Sequence, residues 1–188
     1  MKYAYYNTKI GIIEIAYLDK ILSIKLVDKK IQKDTKIEMT DLVYKEICEY
    51  LDGFRREFSV YDLLEINGSD FRKSVIKALM EIPYGKTTSY KKIAEKINNP
   101  KALRAVGTAI GKNPFLIIYP CHRVIKSDGR IGAFAYGTKL KRYLLDIEGA
   151  NYKNWHRKTL HDAGSYPWNI LIDSFRCFSI KEVESFWI

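Results

Sequence analysis

The first 27 residues contain three short apolar runs separated by charged or turn-forming residues. Each run is rich in β-branched and aromatic side chains, which favour extended strands. We therefore predict strands at Lys2–Asn7, Gly11–Tyr17 and Ile21–Val27. The short connections between them favour a three-stranded antiparallel meander.

The spacing of apolar residues becomes helical after residue 40. A helix is predicted over Asp41–Leu51, because its apolar side chains fall on one helical face and Gly53 follows as a stop signal. A further strand is predicted at Phe58–Tyr61. Residues 1–68 contain no chemical motif that we can identify, so this small α+β domain is expected to be structural.

A linker over Glu65–Ser69 leads into a helical segment. Ser69 or Asp70 can cap its first helix. That helix must end by Ile82, because Pro83 disfavours helical geometry in the residue before it.

Two shorter helices are predicted over Tyr90–Ile97 and Lys101–Gly111, joined by a turn at Asn98–Pro100. Two short helices joined by such a turn are typical of a helix-turn-helix. The predicted fold is therefore α+β: a small antiparallel sheet with one helix, then a mostly helical domain over residues 69–157. Residues 158–188 form a C-terminal extension to which we assign no role.

Charge is distributed unevenly along these segments. Residues 1–69 carry 11 Lys/Arg against 12 Asp/Glu, whereas residues 70–150 carry 16 against 6. The middle segment thus holds a net charge of +10, equal to the formal charge of the whole chain. Such a localised excess favours a surface that binds a polyanion such as nucleic acid, although a well-solvated surface is an alternative.

Neither a membrane span nor a secretion signal is apparent in the sequence. No run approaches the roughly 18 apolar residues of a membrane helix, and charges interrupt the N-terminal segment. We expect a cytoplasmic protein, associated with the nucleoid if the source is prokaryotic. Three well-separated cysteines, Cys48, Cys121 and Cys177, argue against a disulfide framework and leave room for one reactive thiol.

The third predicted helix is rich in small residues. Two glycines inside a helix are each unfavourable by about 1 kcal/mol relative to alanine, so a compensating interaction is expected. Tight packing against a neighbouring helix is one explanation. Because Arg104 and a basic surrounding accompany these residues, we favour a helix laid closely into a narrow nucleic-acid groove. The small residues are Ala102, Ala105, Gly107, Ala109 and Gly111.

The candidate nucleophile is Cys121, which follows Pro120 and precedes His122 and Arg123 between two apolar, strand-like runs. Pro120 makes the turn rigid. Positive charge from His122 and Arg123 is expected to lower the thiol pKa, and a thiolate beside an imidazole is an activated nucleophile. No second ligand pair has metal-site spacing, so neither a metal nor a cofactor is expected.

These motifs resemble the O6-alkylguanine-DNA alkyltransferases, also called methylated-DNA–protein-cysteine methyltransferases. The resemblance covers Ile82 to Gly149 in order, and it implies a ribonuclease-H-like topology for the N-terminal domain. The matching segments are Ile82–Tyr90, Ala102–Gly107, Asn113-Pro114, Pro120–Val124 and Leu144–Gly149.

The resemblance implies a role for each matching site residue. Cys121 would accept the alkyl group, His122 would act on it through a water molecule, and Glu148 would orient that imidazole. Asn113 would tie the recognition helix to the active-site turn, and the Tyr90 hydroxyl would face the extrahelical base. From the residues alone, Glu148 reads as a carboxylate on a helix surface.

The same resemblance implies a DNA-contacting set and a substrate pocket. Arg104 would enter the DNA stack in place of the flipped nucleotide, and Lys141 would lie near the pocket. Phe134 lacks the hydroxyl of the usual tyrosine, and Tyr136 is bulky where some relatives have glycine, so methyl is expected to be preferred over benzyl-sized groups. The other predicted DNA contacts are Lys101, Ala102, Ala105, Gly107, Thr108 and Arg123, and the other predicted wall residues are Tyr90, Val124 and Ala135.

The implied partner is double-stranded DNA carrying O6-alkylguanine, contacted through its minor groove by a monomeric protein. One molecule would repair one lesion, because the thioether formed on Cys121 is stable. A non-catalytic damage-binding module of the same family is an alternative, although such relatives replace the cysteine. A cysteine hydrolase is a second alternative, which leaves the basic helix unexplained.

Overall fold

The computed structural model describes residues 1–153 of the 188-residue chain. The predicted extension 158–188 lies outside the described residues. The three N-terminal strands are confirmed as β1 (Lys2–Thr8), β2 (Gly11–Tyr17) and β3 (Ile21–Val27), one residue longer in β1 than predicted. They form one antiparallel sheet in the order β1-β2-β3.

The first helix, α1, spans Glu38–Leu51 and begins three residues before its predicted start. The Thr40 hydroxyl accepts a hydrogen bond from the backbone N–H of Ile37 at 3.0 Å, which stabilises this earlier start. Val43 and Ile47 of α1 are buried in the same apolar cluster as the inner face of the sheet.

The strand predicted at Phe58–Tyr61 is wrong. Residues 58–60 have no strand partner, and a single 3-10 turn follows at Tyr61–Leu63. The backbone N–H and the hydroxyl of Ser59 both bond to the carboxylate of Glu46 on α1. The Glu46 side chain thus accepts the hydrogen bond from the Ser59 backbone N–H that the carbonyl of a neighbouring strand would otherwise accept.

Three predicted helices of the second half are confirmed with small shifts. Helix α2 spans Asp70–Met80, α3 spans Tyr90–Lys96 and α4 spans Leu103–Gly111. Ser69 and Ser89 are the N-caps of α2 and α3, and each hydroxyl accepts a backbone N–H. These three helices pack against one another.

Further elements frame Cys121. A two-residue strand β4 (Thr88–Ser89) pairs in parallel with β5 (Val124–Ile125), and α5 spans Gly137–Ile147. The apolar run before Cys121, expected to be strand-like, does not form a strand. Phe115 makes a bridge to Ile24 at the free edge of β3, and tight turns follow it.

The buried apolar side chains form one contiguous cluster that includes the sheet, α1 and helices of the second half. The segment leading to Cys121 is therefore packed between the sheet edge and those helices. Within residues 1–153, no helix is long and apolar enough to cross a membrane.

Candidate active site

Two tight turns deliver Cys121 to its position. Ile117 adopts φ +70°, a left-handed conformation that is rare for a β-branched residue, and the Ile118 N–H reaches the Leu116 carbonyl at 2.8 Å. Pro120 has φ −78° and ψ 62°, the geometry of an inverse γ-turn, with the Cys121 N–H bonded to the Tyr119 carbonyl at 2.7 Å. The backbone before the thiol is thus compact rather than extended.

Asn113 connects the end of α4 to this segment. Its amide donates to the carbonyls of Tyr119 at 2.7 Å and Phe115 at 3.1 Å, and its oxygen accepts the Phe115 N–H at 3.1 Å. Displacement of α4 would therefore move the backbone immediately before Cys121.

Cys121 lines a cavity of about 280 Å³ between α4 and the segment before α5. Of the predicted wall residues, Tyr90, Phe134, Ala135 and Tyr136 line this cavity. Val124 and Lys141 do not line it, because Val124 is paired in β5 and Lys141 is buried with its amine donating to the Val124 carbonyl at 2.5 Å. The remaining lining residues are Gly107, Ile110, Gly111, Asn113, Leu116, Cys121 and Ala133.

A buried charge cluster centred on Glu148 lies beside the nucleophile. His122 Nε2 lies 2.9 Å from Glu148 Oε1, and Arg123 donates to both carboxylate oxygens at 2.9–3.1 Å. The Gly85 N–H donates to Oε2 at 3.1 Å. Gly85 has φ +71°, and a Cβ there would lie 2.9 Å from the Glu148 carbonyl oxygen, so this approach requires glycine.

These contacts decide the protonation of the cluster. Burial alone would raise the pKa of Glu148, but hydrogen bonds and charge from His122 and Arg123 outweigh it and lower the pKa to about 2. Burial lowers the pKa of His122 below its ordinary value, against the opposing effect of Glu148. Near neutral pH the cluster therefore holds a carboxylate, a guanidinium and a neutral imidazole.

The thiol differs from the sequence-based expectation. Burial raises the pKa of Cys121, opposed by the Asn113 side chain and the charge of Lys141. His122 is neutral and Arg123 is compensated by Glu148, so neither supplies the expected positive potential. Burial lowers the pKa of Lys141 to about 8. The thiolate must therefore form by proton transfer and is not the resting state.

Arg123 does not lie where the DNA-contact prediction requires it. Its side chain is buried, with Nε and Nη2 on Glu148 and Nη1 donating to the Ile82 carbonyl at 2.5 Å. Since those donors are already used inside the protein, Arg123 is not available for the predicted contact with DNA.

A second depression, the basic groove, runs along the outer side of α4. The groove contains five of the predicted DNA-contact residues. Gly107 instead lines the Cys121 cavity, where a Cβ on this residue would lie 4.0 Å from the Tyr90 ring. Helix α4 thus has one side in the cavity and the other in the groove. The basic groove is lined by Phe71, Arg72, Lys101, Ala102, Arg104, Ala105, Thr108, Ala109 and Lys112.

Tyr50 of α1 was not predicted as a site residue. Its ring is fully buried, and its hydroxyl lies 2.7 Å from Glu148 Oε1 and 3.2 Å from His122 Nε2. The sequence carries no local signal for this contact beyond an aromatic residue on the apolar face of a helix.

Comparison with known proteins places this geometry in a family. Residues 70–150 match the family described as 6-O-methylguanine DNA methyltransferase, DNA binding domain. A probable methylated-DNA–protein-cysteine methyltransferase of Acanthamoeba polyphaga mimivirus is 40% identical over 154 residues, which cover 80% of this chain and 99% of that protein. The methylated-DNA–protein-cysteine methyltransferase of Methanosarcina barkeri is 47% identical over 112 residues, covering 58% and 71% of the two chains.

The fold is also shared with a solved structure. Mycobacterium tuberculosis OGT, in its crystal structure in complex with DNA, superposes with a TM-score of 0.72 at 34% identity. The superposition covers 79% of this chain and 93% of that one, and it includes the mixed architecture of small sheet and helices. The chain belongs to the methylated-DNA–protein-cysteine methyltransferase family.

Proposed function

We propose that this protein repairs DNA by moving an alkyl group, mainly methyl, from O6 of guanine onto the sulfur of Cys121. The observation that carries the proposal is the position of Cys121 in a cavity, between a buried His122–Glu148 pair and the helix that also forms the basic groove. The names of the relatives point to the same reaction. The non-catalytic alternative is not favoured.

In this proposal α3 and α4 act as a helix-turn-helix, with α4 laid against the minor groove. Lys101 and Arg104 are exposed along the basic groove, where they can contact the phosphate backbone without reading sequence. The small Ala102 and Ala105 let the backbone of α4 approach DNA closely. The crystal structure of the M. tuberculosis neighbour in complex with DNA supports DNA as the partner.

The target base must leave the stack to reach the thiol, which costs a few kcal/mol. Arg104 would fill the vacated place, and the base would enter the cavity on the other side of α4. One helix therefore serves both the docking and the pocket, since Gly107 and Ile110 line the cavity.

The chemical step is a displacement at the alkyl carbon. The Cys121 proton passes to His122 through a water molecule, the sulfur–carbon bond forms, and the carbon–O6 bond breaks with its electron pair on guanine. Glu148 stabilises the imidazolium that results. Burial raises the pKa of Tyr90, so its phenol stays protonated and can donate to the departing base.

The thioether has no route back to the thiol, so each molecule acts once. We further propose that residues 1–68 form a ribonuclease-H-like domain and residues 69–157 the transferase domain, acting as a monomer without a cofactor. A cytoplasmic, nucleoid-associated location stays a prediction.

The proposal is tested by incubating the protein with double-stranded DNA that carries one O6-methylguanine and then measuring the intact protein by mass spectrometry. Wild-type protein is expected to gain one methyl group, and Cys121→Ser is expected to gain none. Tight binding with an unchanged wild-type mass would instead support the damage-binding alternative.

A further inference from the structure

A contact between the two halves of the chain reaches the residues that flank the nucleophile. Tyr50 lies on α1, outside the segment that matches the family description, residues 70–150. Its hydroxyl contacts two groups of the buried cluster, Glu148 at 2.7 Å and His122 at 3.2 Å. Within this cluster, α1 thus supplies a polar group to the chemistry of the second half.

The hydrogen bonds fix which atom donates. A phenol has one hydrogen, and the carboxylate of Glu148 can only accept, so Tyr50 donates to Oε1. The lone pairs of the Tyr50 oxygen then remain to face His122 Nε2. Since both neighbours of Nε2 are acceptors, the imidazole proton is assigned to Nε2 from this network.

The other imidazole nitrogen is left as a base. His122 Nδ1 is buried and has no hydrogen-bond partner among residues 1–153. With the proton on Nε2, Nδ1 carries a lone pair and can accept a proton. His122 follows Cys121 directly in the chain.

We propose that Tyr50 is a positioning residue for alkyl transfer, which together with Glu148 holds the His122 imidazole with Nδ1 free to accept the Cys121 proton. This inference rests on the proposed function. During transfer the sulfur loses its proton to Nδ1 through a water molecule, and the imidazolium keeps two acceptors at Nε2, the Glu148 carboxylate and the Tyr50 oxygen. Tyr50 itself neither gains nor loses a proton.

Two observations support a fixed, protonated Tyr50. Burial and the charge of Glu148 hold the pKa of Tyr50 well above its ordinary value, so its hydroxyl keeps its hydrogen. The half of the chain that carries Tyr50 is also anchored beside the nucleophile, since the Leu116 N–H bonds to the Ile24 carbonyl of β3 at 3.0 Å.

A purely structural hydrogen bond is the competing explanation, and a matched pair of variants separates the two. Tyr50→Phe removes the hydroxyl at the cluster. Tyr17→Phe removes another buried hydroxyl of the same half, which donates to the Thr35 carbonyl at 2.7 Å. Each variant removes one hydroxyl from a buried tyrosine, and only Tyr50→Phe removes a hydroxyl that contacts His122.

The experiment measures single-turnover transfer from O6-methylguanine DNA over a range of protein concentrations, which gives the first-order rate of the bound complex and the half-saturating concentration separately. Tyr50→Phe is expected to lower the first-order rate roughly five- to tenfold, about the effect of one ordinary intramolecular hydrogen bond, with the half-saturating concentration unchanged. Tyr17→Phe is expected to change neither quantity.

An unchanged first-order rate in Tyr50→Phe, or an equal loss in both variants, overturns the inference. Modification of Cys121 by iodoacetamide, followed by peptide mass, gives a second readout without DNA, and it should slow only in Tyr50→Phe. If wild-type protein transfers no methyl, the proposed function fails, and the iodoacetamide rates then decide the inference about Tyr50: equal rates in both variants overturn it.

Discussion

Two regions near Cys121 use positive charge in opposite ways. In the buried cluster, Arg123 is enclosed with Glu148 and has its donors satisfied inside the protein. In the basic groove, Lys101, just before α4, and Arg104, on α4, are exposed. Exposed charges are screened by salt and buried pairs much less so. The buried cluster therefore supports the chemistry, whereas the basic groove supports docking on DNA.

The buried cluster should be the more sensitive to substitution. Glu148→Gln removes the only carboxylate that His122, Arg123 and Tyr50 share in the described part of the chain. Breaking a buried pair by removing one partner costs about 3–5 kcal/mol, because the other charge stays buried. We expect that loss in the free energy of unfolding measured with urea, together with a large loss of transfer.

Glu81→Gln is the control for that variant. Glu81 is exposed and pairs with Lys96 at 2.5 Å, a surface ion pair expected to contribute less than about 1 kcal/mol. Equal destabilisation by the two substitutions would contradict the contrast between the buried and exposed charges.

Acid should weaken the buried cluster in two stages. The pKa of Glu148 is lowered from 4.5 to about 2 in the folded protein, so its stabilisation is complete above about pH 4.5 and is lost as the pH falls toward 2. This linkage amounts to about 3 kcal/mol. The lowered pKa of His122 adds an earlier loss, because the unfolded chain binds a proton below about pH 6.5.

Urea unfolding at pH 7, 5 and 3 measures both stages. Wild-type protein should lose stability across the whole range, and Glu148→Gln should lose less between pH 5 and 3. Parallel curves for the two proteins would show that Glu148 is not the titrating group.

The outer wall of the cavity should set the alkyl-group range. Phe134 and Tyr136 are half-buried, with their rings in edge contact at 5.9 Å between centroids. We expect wild-type protein to react more slowly with O6-benzylguanine than with methylated DNA. Tyr136→Gly should raise the rate with the benzyl compound roughly tenfold, as expected for relief of a steric barrier in a pocket.

The rate of Tyr136→Gly with methylated DNA is the matched control and should rise little. If O6-benzylguanine inactivated wild-type protein as fast as methylated DNA does, Phe134 and Tyr136 would not limit the size of the alkyl group.

The basic groove should respond to salt and only modestly to single substitutions. Lys101→Ala should weaken DNA binding a few-fold and reduce the slope of log affinity against log salt by about 1. Lys20→Ala removes an exposed charge outside the basic segment and should leave the slope unchanged. Fluorescence anisotropy with labelled duplex at several salt concentrations measures the affinity and the slope of each variant. Equal slopes for the two variants would show that the basic groove is not the DNA-docking surface.

Much of the fold followed from local pattern. The β-branched and aromatic runs of β1–β3 and the serine caps of α2 and α3 are signals within a few residues, and the structure has them where expected. The strand predicted at Phe58–Tyr61 failed because the Glu46 side chain takes the Ser59 donor, an interaction 13 residues away that periodicity does not encode.

The site residues also fall into those that local sequence reveals and those that only distant contacts reveal. Cys121 and His122 were found from a local motif, whereas Glu148 reads as a surface carboxylate without the family resemblance and is buried in the structure. Tyr50 is separated from His122 by 72 residues and from Glu148 by 98, so only the packing of α1 against the second half reveals it. Arg123 was misassigned because sequence shows a charge and not its partner.

Single-equivalent methylation of Cys121 is the most direct test of the proposed function. Wild-type protein is incubated with an excess of duplex carrying O6-methylguanine, the transferred methyl is counted with time, and the modified residue is mapped by peptide mass. The proposed function predicts a plateau at one methyl per protein, located on Cys121, with Cys48 unmodified. Repair that continues past one equivalent, or a methyl group located on another residue, would contradict it.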